Sequence, residues 1–297
     1  MRFFVLLALF FLSCSDGNKI LPNSTGENSE IIFVVDDKLW KNSIDSLVRN
    51  IFGASIEGVN QIEALFKIIQ VNHREFKSIL KTHKNVIIIS DIGSKSRQRN
   101  KWSNGQLVAQ LKWENSSENL LQDLIVLRKL FVKKELNLIR SYIEKSSQRN
   151  IEKILVSNFG VACVIPNEYD IIKNDSAFFW ANYDPINSDE IKNILIFSFI
   201  PRTKNLQSEV LFHTDSIFAR YLKGAKETSY VRIEQEYSPY FHENIYRGLW
   251  KLEHGFMGGP FLIKTHFARN KIVVNVGLVF APQSAKRKYI KEFEAIL

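Results

Sequence analysis

The chain has 297 residues, of which 45% are hydrophobic and 24% charged, proportions that are ordinary for a globular protein with a sizeable core. Its length suggests about two domains, and it contains no internal repeat or low-complexity segment. Lys and Arg number 40 against 31 Asp and Glu, which gives a net charge of +9. No basic run is interleaved with aromatic residues, so we exclude a nucleic-acid platform. The charge then indicates a lysine-rich solvated surface or another anionic partner.

The first 13 residues have the pattern of an export signal. Residues 3–12 are all apolar, but this run is too short to span a bilayer, which takes about 20 apolar residues. It ends in Leu12-Ser13-Cys14 before a polar stretch and resembles a bacterial lipobox, although Phe11 stands where many lipoboxes have Leu. We therefore predict cleavage before Cys14, acylation of its thiol and a polar tether over residues 14–29. The alternative is an ordinary signal peptide with an incidental cysteine.

The residues after this cysteine predict where the anchored protein lies. Ser15 follows it, instead of the Asp that retains some lipoproteins in the inner membrane. Only Asp16 is acidic nearby, whereas a surface-export signal has a run of acidic residues. We expect a lipid-anchored protein of the outer membrane that faces the periplasm. With Cys14 acylated, Cys163 has no disulfide partner, and its apolar neighbours predict a buried, inert thiol.

The N-terminal half, residues 30–148, alternates strands and helices as an α/β domain does. Strands are predicted at 30–35, 65–71, 86–90 and 106–113. Helices are predicted at 39–52, at 73–82 with Asn72 as a cap, and from Ser116 to near residue 146. The basic stretch 91–101 is predicted to be a solvated, mobile loop. A phosphate site is the alternative there, but a P-loop pattern is missing.

The C-terminal half, residues 149–297, is richer in strands. They are predicted at 161–165, 169–172, 177–183, 194–199 and 230–235, with two or three more between 247 and 282. Helices are predicted at 151–158, 208–222 and 286–297. The fold class is therefore α+β, with two α/β sandwich units. The element order of the second unit resembles the PsbP/Mog1-like fold, a likeness that implies no function.

The segment 247–261, RGLWKLEHGFMGGPF, concentrates special residue types, and two interpretations of it are open. In the first it lines a ligand groove, formed by Trp250, Phe256, Met257 and Phe261 with Arg247 and Glu253 as polar anchors. In the second, which we favour, the aromatic residues form core and Arg247 pairs with Glu253. Met257-Gly258-Gly259-Pro260 is then predicted to be a turn or bulge in which the glycines adopt positive φ.

Three stretches together match a known family: LPNSTG before the first strand, the segment 65–89, and RGLWKLEHGFMGGPF with the closing GLVFAPQSAKRKYIKEFEAIL. From Leu21 to Leu297 the chain resembles an uncharacterised lipoprotein family of Bacteroidota, a domain of unknown function. The resemblance implies a lipid-anchored envelope protein and brings no activity, cofactor or catalytic residue. Other members tend to have an acidic or amide residue where this chain has His254-Gly255, a difference that would leave the turn intact.

No short catalytic or metal-binding motif occurs in the chain, so we predict no catalytic residue, no cofactor and no metal site. His242, His254 and His266 are close in sequence, but zinc needs three or four ligands. Asp36-Asp37 ends the first strand, where helix capping is the favoured role. Asp175-Ser176-Ala177 resembles the O-glycosylation sequon of exported Bacteroidota proteins, and Ser176 is the predicted acceptor.

We therefore expect a non-enzymatic binding or scaffolding protein of the cell envelope. Its partners would be the membrane, through the lipid anchor, and an unidentified envelope protein or glycan. The alternative is a hydrolase that acts on envelope material, with an active site spread over loops. A deep pocket with titratable groups around Arg247, Glu253 or the C-terminal histidines would favour the enzyme. A flat or apolar exposed patch would favour the binding protein.

Overall fold

The computed structural model describes residues 20–59, 61–268 and 270–297. Within these ranges the chain forms two sheets with helices packed on them, a mixed α+β architecture. The fold class is thus the predicted one. The export signal and Cys14 lie outside the described residues. None of the helices in these ranges has the length and the apolar content needed to cross a membrane.

The N-terminal sheet has the strand order β2-β1-β3-β5-β4. Its strands are β1 (Glu30–Val34), β2 (Lys67–Val71), β3 (Asn85–Ser90), β4 (Ser96–Arg99) and β5 (Leu107–Lys112). All neighbours are parallel except β4, which is antiparallel to β5. Residues 31–34 of β1 are all apolar because β1 lies inside the sheet and both of its faces are covered. Phe33 packs toward the helices, and Ile32 packs on the opposite side with Phe76.

The helices of this half follow β1 and β5. Asp36 caps the first of them by accepting a hydrogen bond from the Lys38 amide, as the sequence predicted. The segment continues through α1 (Asp37–Leu39), a π-helical stretch (Trp40–Ile44) and α2 (Asp45–Phe52). After β5 comes α3 (Ser117–Ile143), a helix of 27 residues that serves two cores. Its first half packs in the N-terminal core and its second half packs on the C-terminal core; the residues are Leu120, Leu124, Leu127 and Phe131, then Leu136, Ile139 and Ile143.

The C-terminal sheet is antiparallel, in the order β10-β11-β12-β13-β8-β7-β6, with β9 also paired to β11. Its strands are β6 (Asp170–Asn174), β7 (Phe178–Tyr183), β8 (Ile191–Phe199), β9 (Tyr230–Ile233), β10 (Tyr240–His242), β11 (Ile245–Glu253), β12 (Gly258–Ala268) and β13 (Lys271–Phe280). Helix α5 (Leu206–Tyr221) covers one face. The other face packs against α4 (Arg149–Phe159), α6 (Arg287–Ile296) and the second half of α3.

Two predicted elements of the N-terminal half differ in the structure. Residues 73–82 form turns and a short 3-10 helix (Ser78–Thr82) instead of an α-helix, and Ser78 has a positive φ of 51°. Part of the basic stretch predicted as a mobile loop is the edge strand β4. Its sequence, SRQR, has no apolar face, because an edge strand can satisfy its backbone through a single neighbour while both faces remain in water.

Two further segments are placed differently from the prediction. Residues 161–165 are extended but join no strand, because the Val164 amide donates to the Ile296 carbonyl of α6 at 2.9 Å. Residues 22–29, predicted as part of the tether, are bound to the N-terminal half. There the amides of Ser24 and Thr25 donate to the carbonyls of Asn104 and Thr82, both at 3.0 Å.

The glycines of the 247–261 segment have a role other than the predicted one. Gly258 and Gly259 begin strand β12 and neither has positive φ, whereas the hairpin turn contains His254 at a φ of 57°. A Cβ on Gly259 would lie 2.1 Å from the carbonyl oxygen of Val279. The missing side chain leaves room for Trp250, the cross-strand partner of Gly259, to donate its indole N–H to that oxygen at 3.2 Å.

We expect Gly259→Ala to lower the free energy of unfolding by about 1–3 kcal/mol, because the added methyl group meets backbone that cannot move aside. Gly258→Ala is the matched control, since a Cβ there lies 3.0 Å from the nearest atom, the Trp250 carbonyl oxygen. Urea melts followed by tryptophan fluorescence measure both variants. A Gly259→Ala protein no less stable than Gly258→Ala would contradict this account of the hairpin.

Candidate functional site

The segment 247–261 does not converge on one groove. Alternate residues of β11 face opposite sides of the C-terminal sheet. Trp250 lies in the core beneath α5, whereas Arg247 contacts Glu294 of α6 on the other side at 2.6 Å. Glu253 contacts Arg232 at 3.5 Å. The predicted pair of Arg247 with Glu253 is therefore wrong.

The apolar residues of this segment divide into core and surface. Trp250 is 5% exposed and Phe261 is fully buried, while Met257 packs partly buried on the same core. Pro260 is buried within β12. Phe256, at the tip of the hairpin, is 90% exposed. A partner can reach Phe256, but Trp250 and Phe261 have their contacts inside the protein.

The remaining sequence candidates lie apart from one another. His254 is exposed, and in the described part of the chain no group of three or more His, Cys, Asp or Glu side chains is placed to hold a metal ion. Ser176 is exposed between β6 and β7, and its glycosylation stays a prediction. Burial raises the pKa of Cys163 to about 12, so the thiol stays protonated and unreactive.

A cleft of about 560 Å³ lies between α3 and α6, and none of the residues 247–261 lines it. Its volume is within the range of small-molecule sites, roughly 300–1,000 Å³. Both halves of the chain form its walls. The N-terminal half contributes the turn before β1, the start of β3 and residues of α3, and the C-terminal half contributes Glu168 and residues of α6. We define this space as the α3–α6 cleft.

A buried cluster of Ser29, Glu135 and Lys291 lies in the wall of the cleft. The Lys291 ammonium contacts the Glu135 carboxylate at 2.7 Å, and the two side chains are 4% and 8% exposed. The Ser29 hydroxyl donates to Glu135 at 2.7 Å and accepts from Lys291 at 2.8 Å. Lys291 also donates to the Leu65 carbonyl at 3.2 Å. All three ammonium protons thus have acceptors, which a buried ion pair requires if it is not to destabilise the fold.

Burial lowers the pKa of Lys291, and the neighbouring Glu135 carboxylate opposes that shift. The cluster connects the residue before β1, helix α3 and helix α6. Ser29 has a φ of 57°, a conformation that costs free energy in a residue other than glycine. Its two side-chain hydrogen bonds stabilise this conformation.

Four more cations line the cleft: Lys84, Lys134, Arg287 and Lys288. Within the described residues, none of the four has a carboxylate partner at ion-pair distance. The Arg287 guanidinium donates to the Ala64 carbonyl at 2.6 Å. Of the two carboxylates in the cleft besides Glu135, Glu292 already pairs with Lys192 at 3.0 Å and Glu168 is exposed. The cleft therefore has an excess of positive charge.

Lys134 is the most constrained of these cations. Its ammonium donates to the Lys84 carbonyl at 2.7 Å and to the Asn85 side-chain oxygen at 2.8 Å. Burial lowers the pKa of Lys134 to about 8, and the positive charges of Lys84 and Arg99 act in the same direction against an opposing Glu135. Two neutral acceptors thus bind the Lys134 ammonium, whose charged form is destabilised by burial and by the neighbouring cations. An anion in the cleft would stabilise that charged form.

The same side of α3 continues as an apolar surface. Leu138 and Tyr142 follow Lys134 by one and two helical turns, about 6 and 12 Å along the axis. They are 49% and 75% exposed. Ile139 and Ile143 lie beside them and also line the cleft. The cleft thus offers cations that no described carboxylate neutralises, next to accessible apolar side chains.

Sequence reasoning missed this cleft because its parts come from distant segments. Lys291 and Glu135 are 156 residues apart in the chain. One signal was available: Glu135 follows Phe131 by four residues, on the apolar stripe of α3, where a carboxylate must find a buried partner. The other signal is Leu138 and Tyr142, which continue the apolar stripe although they stay accessible.

Comparison with known families assigns both halves of the chain. A model described as a domain of unknown function, DUF4837, matches residues 148–297, just over half of the chain. A second domain of unknown function, DUF8532, matches residues 24–144. The chain belongs to the DUF4837 family. This confirms the predicted membership of a family without an assigned activity, while the lipoprotein character stays a prediction.

The other comparisons add little. No curated protein matches the chain. Among solved structures, LpqN of Mycobacterium tuberculosis, described as involved in cell envelope biogenesis, matches with a TM-score of 0.25 and 10% identity, covering 45% of this chain and 77% of LpqN. A likeness of this size carries no functional argument. The resemblance of the C-terminal half to the PsbP/Mog1-like fold also stays a prediction.

We expect Glu135→Gln and Lys291→Met each to lower the free energy of unfolding by about 3–5 kcal/mol, since each leaves one charge or polar group buried without its partner. The double variant Glu135→Leu/Lys291→Met removes both charges and should cost less than either single change. Thermal and urea melts measure all three.

The matched control is Asp45→Asn, which breaks the pair of Asp45 with Arg49, whose side chains are 37% and 61% exposed. It should leave the melts almost unchanged, because exposed ion pairs contribute little. Single cleft variants as stable as Asp45→Asn would show that the buried pair is not what holds α3 against α6.

Proposed function

We propose that this protein is a lipid-anchored, non-enzymatic binding protein of the cell envelope, and that it holds an envelope component in the α3–α6 cleft. The observation that carries this proposal is the arrangement of the cleft, in which cations without a carboxylate partner in the described part of the chain adjoin the accessible apolar side chains of α3. Such a space combines an apolar lining with a few polar groups that orient a ligand, as small-molecule sites do.

The hydrolase alternative has one specific observation in its favour. Lys291 and Ser29 are 2.8 Å apart, and a serine beside a lysine is a known nucleophile and base combination. The hydrogen bonds oppose it, because Ser29 gives its proton to Glu135 and Lys291 donates to both of them. A lysine that acts as a base must be neutral and accept the serine proton. Binding without chemistry is therefore the function that this geometry favours.

The anchor and its location are part of the same proposal. We base this part on the pattern of residues 1–16, in which an apolar run ends in Leu12-Ser13-Cys14 and Ser15 follows. Two or three acyl chains on Cys14 give stable membrane attachment. We place the anchor in the outer membrane, with the protein facing the periplasm.

We expect Cys14→Ala to move the protein from the membrane fraction to the soluble fraction and to abolish its labelling by a clickable palmitate analogue, since the acyl chains are its attachment. Leu12→Ile, which keeps the cysteine, is the control. Membrane fractionation unchanged by Cys14→Ala would overturn the anchor. In the same cells, protease added to intact cells should leave the protein whole, and rapid digestion would place it outside.

We expect Leu138→Trp to fill the cleft and to release the bound envelope component. Wild type and variant are purified from membranes with Cys14 intact, and the lipids and glycans that copurify are quantified by mass spectrometry. Val156→Trp is the matched control, because Val156 lies on α4 with 51% exposure against 49% for Leu138. A component retained equally by both variants would contradict a ligand in the cleft.

A further inference from the structure

The chemistry of the cleft defines a class of ligand, and this inference rests on the proposed function. We propose that the α3–α6 cleft binds an amphiphile with a phosphate group and a net negative charge, with the phosphate at Lys84 and Lys134 and the aliphatic part along Leu138 and Tyr142 of α3. The phosphate can belong to a membrane lipid or to another acylated or prenylated molecule, which present the same chemistry.

The positive charge of the cleft defines the polar end of the ligand. Lys84 and Lys134 meet at the start of β3, where the Lys134 ammonium donates to the Lys84 carbonyl and the Asn85 side chain. An ammonium has three protons, so Lys134 keeps one for a ligand beyond these two bonds. Among the described residues, the Lys84 ammonium has one hydrogen-bond partner, the Asn28 side chain at 3.3 Å. Lysine is an established phosphate-binding side chain that acts as a point charge.

The apolar surface of α3 defines the other end of the ligand. A soluble anion such as free phosphate would use the cations alone and leave Leu138 and Tyr142 in water. These two side chains are on the same side of α3 as Lys134, one and two turns along, so one molecule can contact all three. An aliphatic chain on them removes apolar surface from water, which contributes about 25 cal/mol for each Å².

A few titratable and charged groups control the charge of the site. Around Lys134 these are Lys84 just before β3, Arg99 on β4, Glu135 on its own helix, and Lys291 on α6, which Glu135 neutralises. The other charged residues that line the cleft are Glu168, Arg287, Lys288 and Glu292. The pKa of Lys134 is about 8, so the free cleft loses positive charge as the pH rises from 7 to 9. A phosphodiester keeps its charge over this range. Binding should therefore weaken as the pH rises.

The test uses the soluble Cys14→Ala chain, which keeps every described residue, and measures dissociation constants by titration calorimetry at pH 7. The probes are dihexanoyl phosphatidylglycerol, which has a net negative charge, dihexanoyl phosphatidylcholine, which has the same chains and no net charge, and inorganic phosphate, which has no chain. We expect phosphatidylglycerol to bind about tenfold or more tightly than either of the others.

Lys134→Met should weaken phosphatidylglycerol binding by about tenfold or more, since it removes a charged donor. Lys133→Met is the matched control, because Lys133 is the exposed neighbour on α3 and should change binding little. Wild-type affinity should fall severalfold between pH 7 and pH 9, and Lys134→Met should lose that dependence. If Lys134→Met does not fold, Lys84→Gln at the half-buried neighbour serves the same comparison.

Three results would overturn the proposal. Equal binding of phosphatidylcholine would show that the cleft does not recognise the charge, and equal binding of inorganic phosphate would show that the apolar surface takes no part. Unchanged phosphatidylglycerol binding in both lysine variants would place the site elsewhere. The proposed function fails separately: if Leu138→Trp releases an envelope component while no phosphate probe binds, the cleft is a binding site and the ligand class is wrong.

Discussion

The buried ion pair of Lys291 with Glu135 joins helix α6 of the C-terminal half to helix α3 of the N-terminal half. Each side chain alone would leave a charge in the interior, and that costs several kcal/mol. Together with Ser29, the two side chains provide one another with charge and hydrogen-bond partners. Helices α3 and α6 are therefore held at the distance that the ion pair requires. The α3–α6 cleft is the space beside this contact. Its shape is therefore set before any ligand arrives, which reduces the free-energy cost of binding.

The charged groups of the cleft fall into two sets with different consequences. Glu135 and Glu292 each have a lysine partner, so these two ion pairs contribute little to the net charge of the cleft. Lys84, Lys134, Arg287 and Lys288 have backbone, amide or aromatic partners instead, and their charges remain uncompensated by nearby carboxylates of the described chain. In a partly desolvated space such charges interact more strongly than at an open surface. This difference makes the cleft, and not the aromatic segment 247–261, the candidate site.

The sequence predicted the parts of the fold that local pattern controls. β1 contains an apolar run because both of its faces are covered, and α3 has an apolar stripe at helical spacing, so the sequence predicted both elements. β4 has no apolar face because it is an edge strand, and residues 161–165 bond to a helix end, so neither role could be predicted from periodicity. The cleft could not be predicted from the sequence for a related reason. Its charged residues come from segments far apart in the chain, and only the packing of α3 on α6 brings them together.

Helix α3 packs in both cores, and this limits how the two modules of the chain can be recombined in evolution. The family matches divide the sequence between residues 144 and 148, just after α3 ends. The second half of that helix nevertheless packs on the core of the C-terminal part through Leu136, Ile139 and Ile143. A gene fusion or exchange at this border would bring an unrelated helix against that core. The two modules must therefore change together, and a relative with only the C-terminal module needs another segment to cover the surface that α3 covers here.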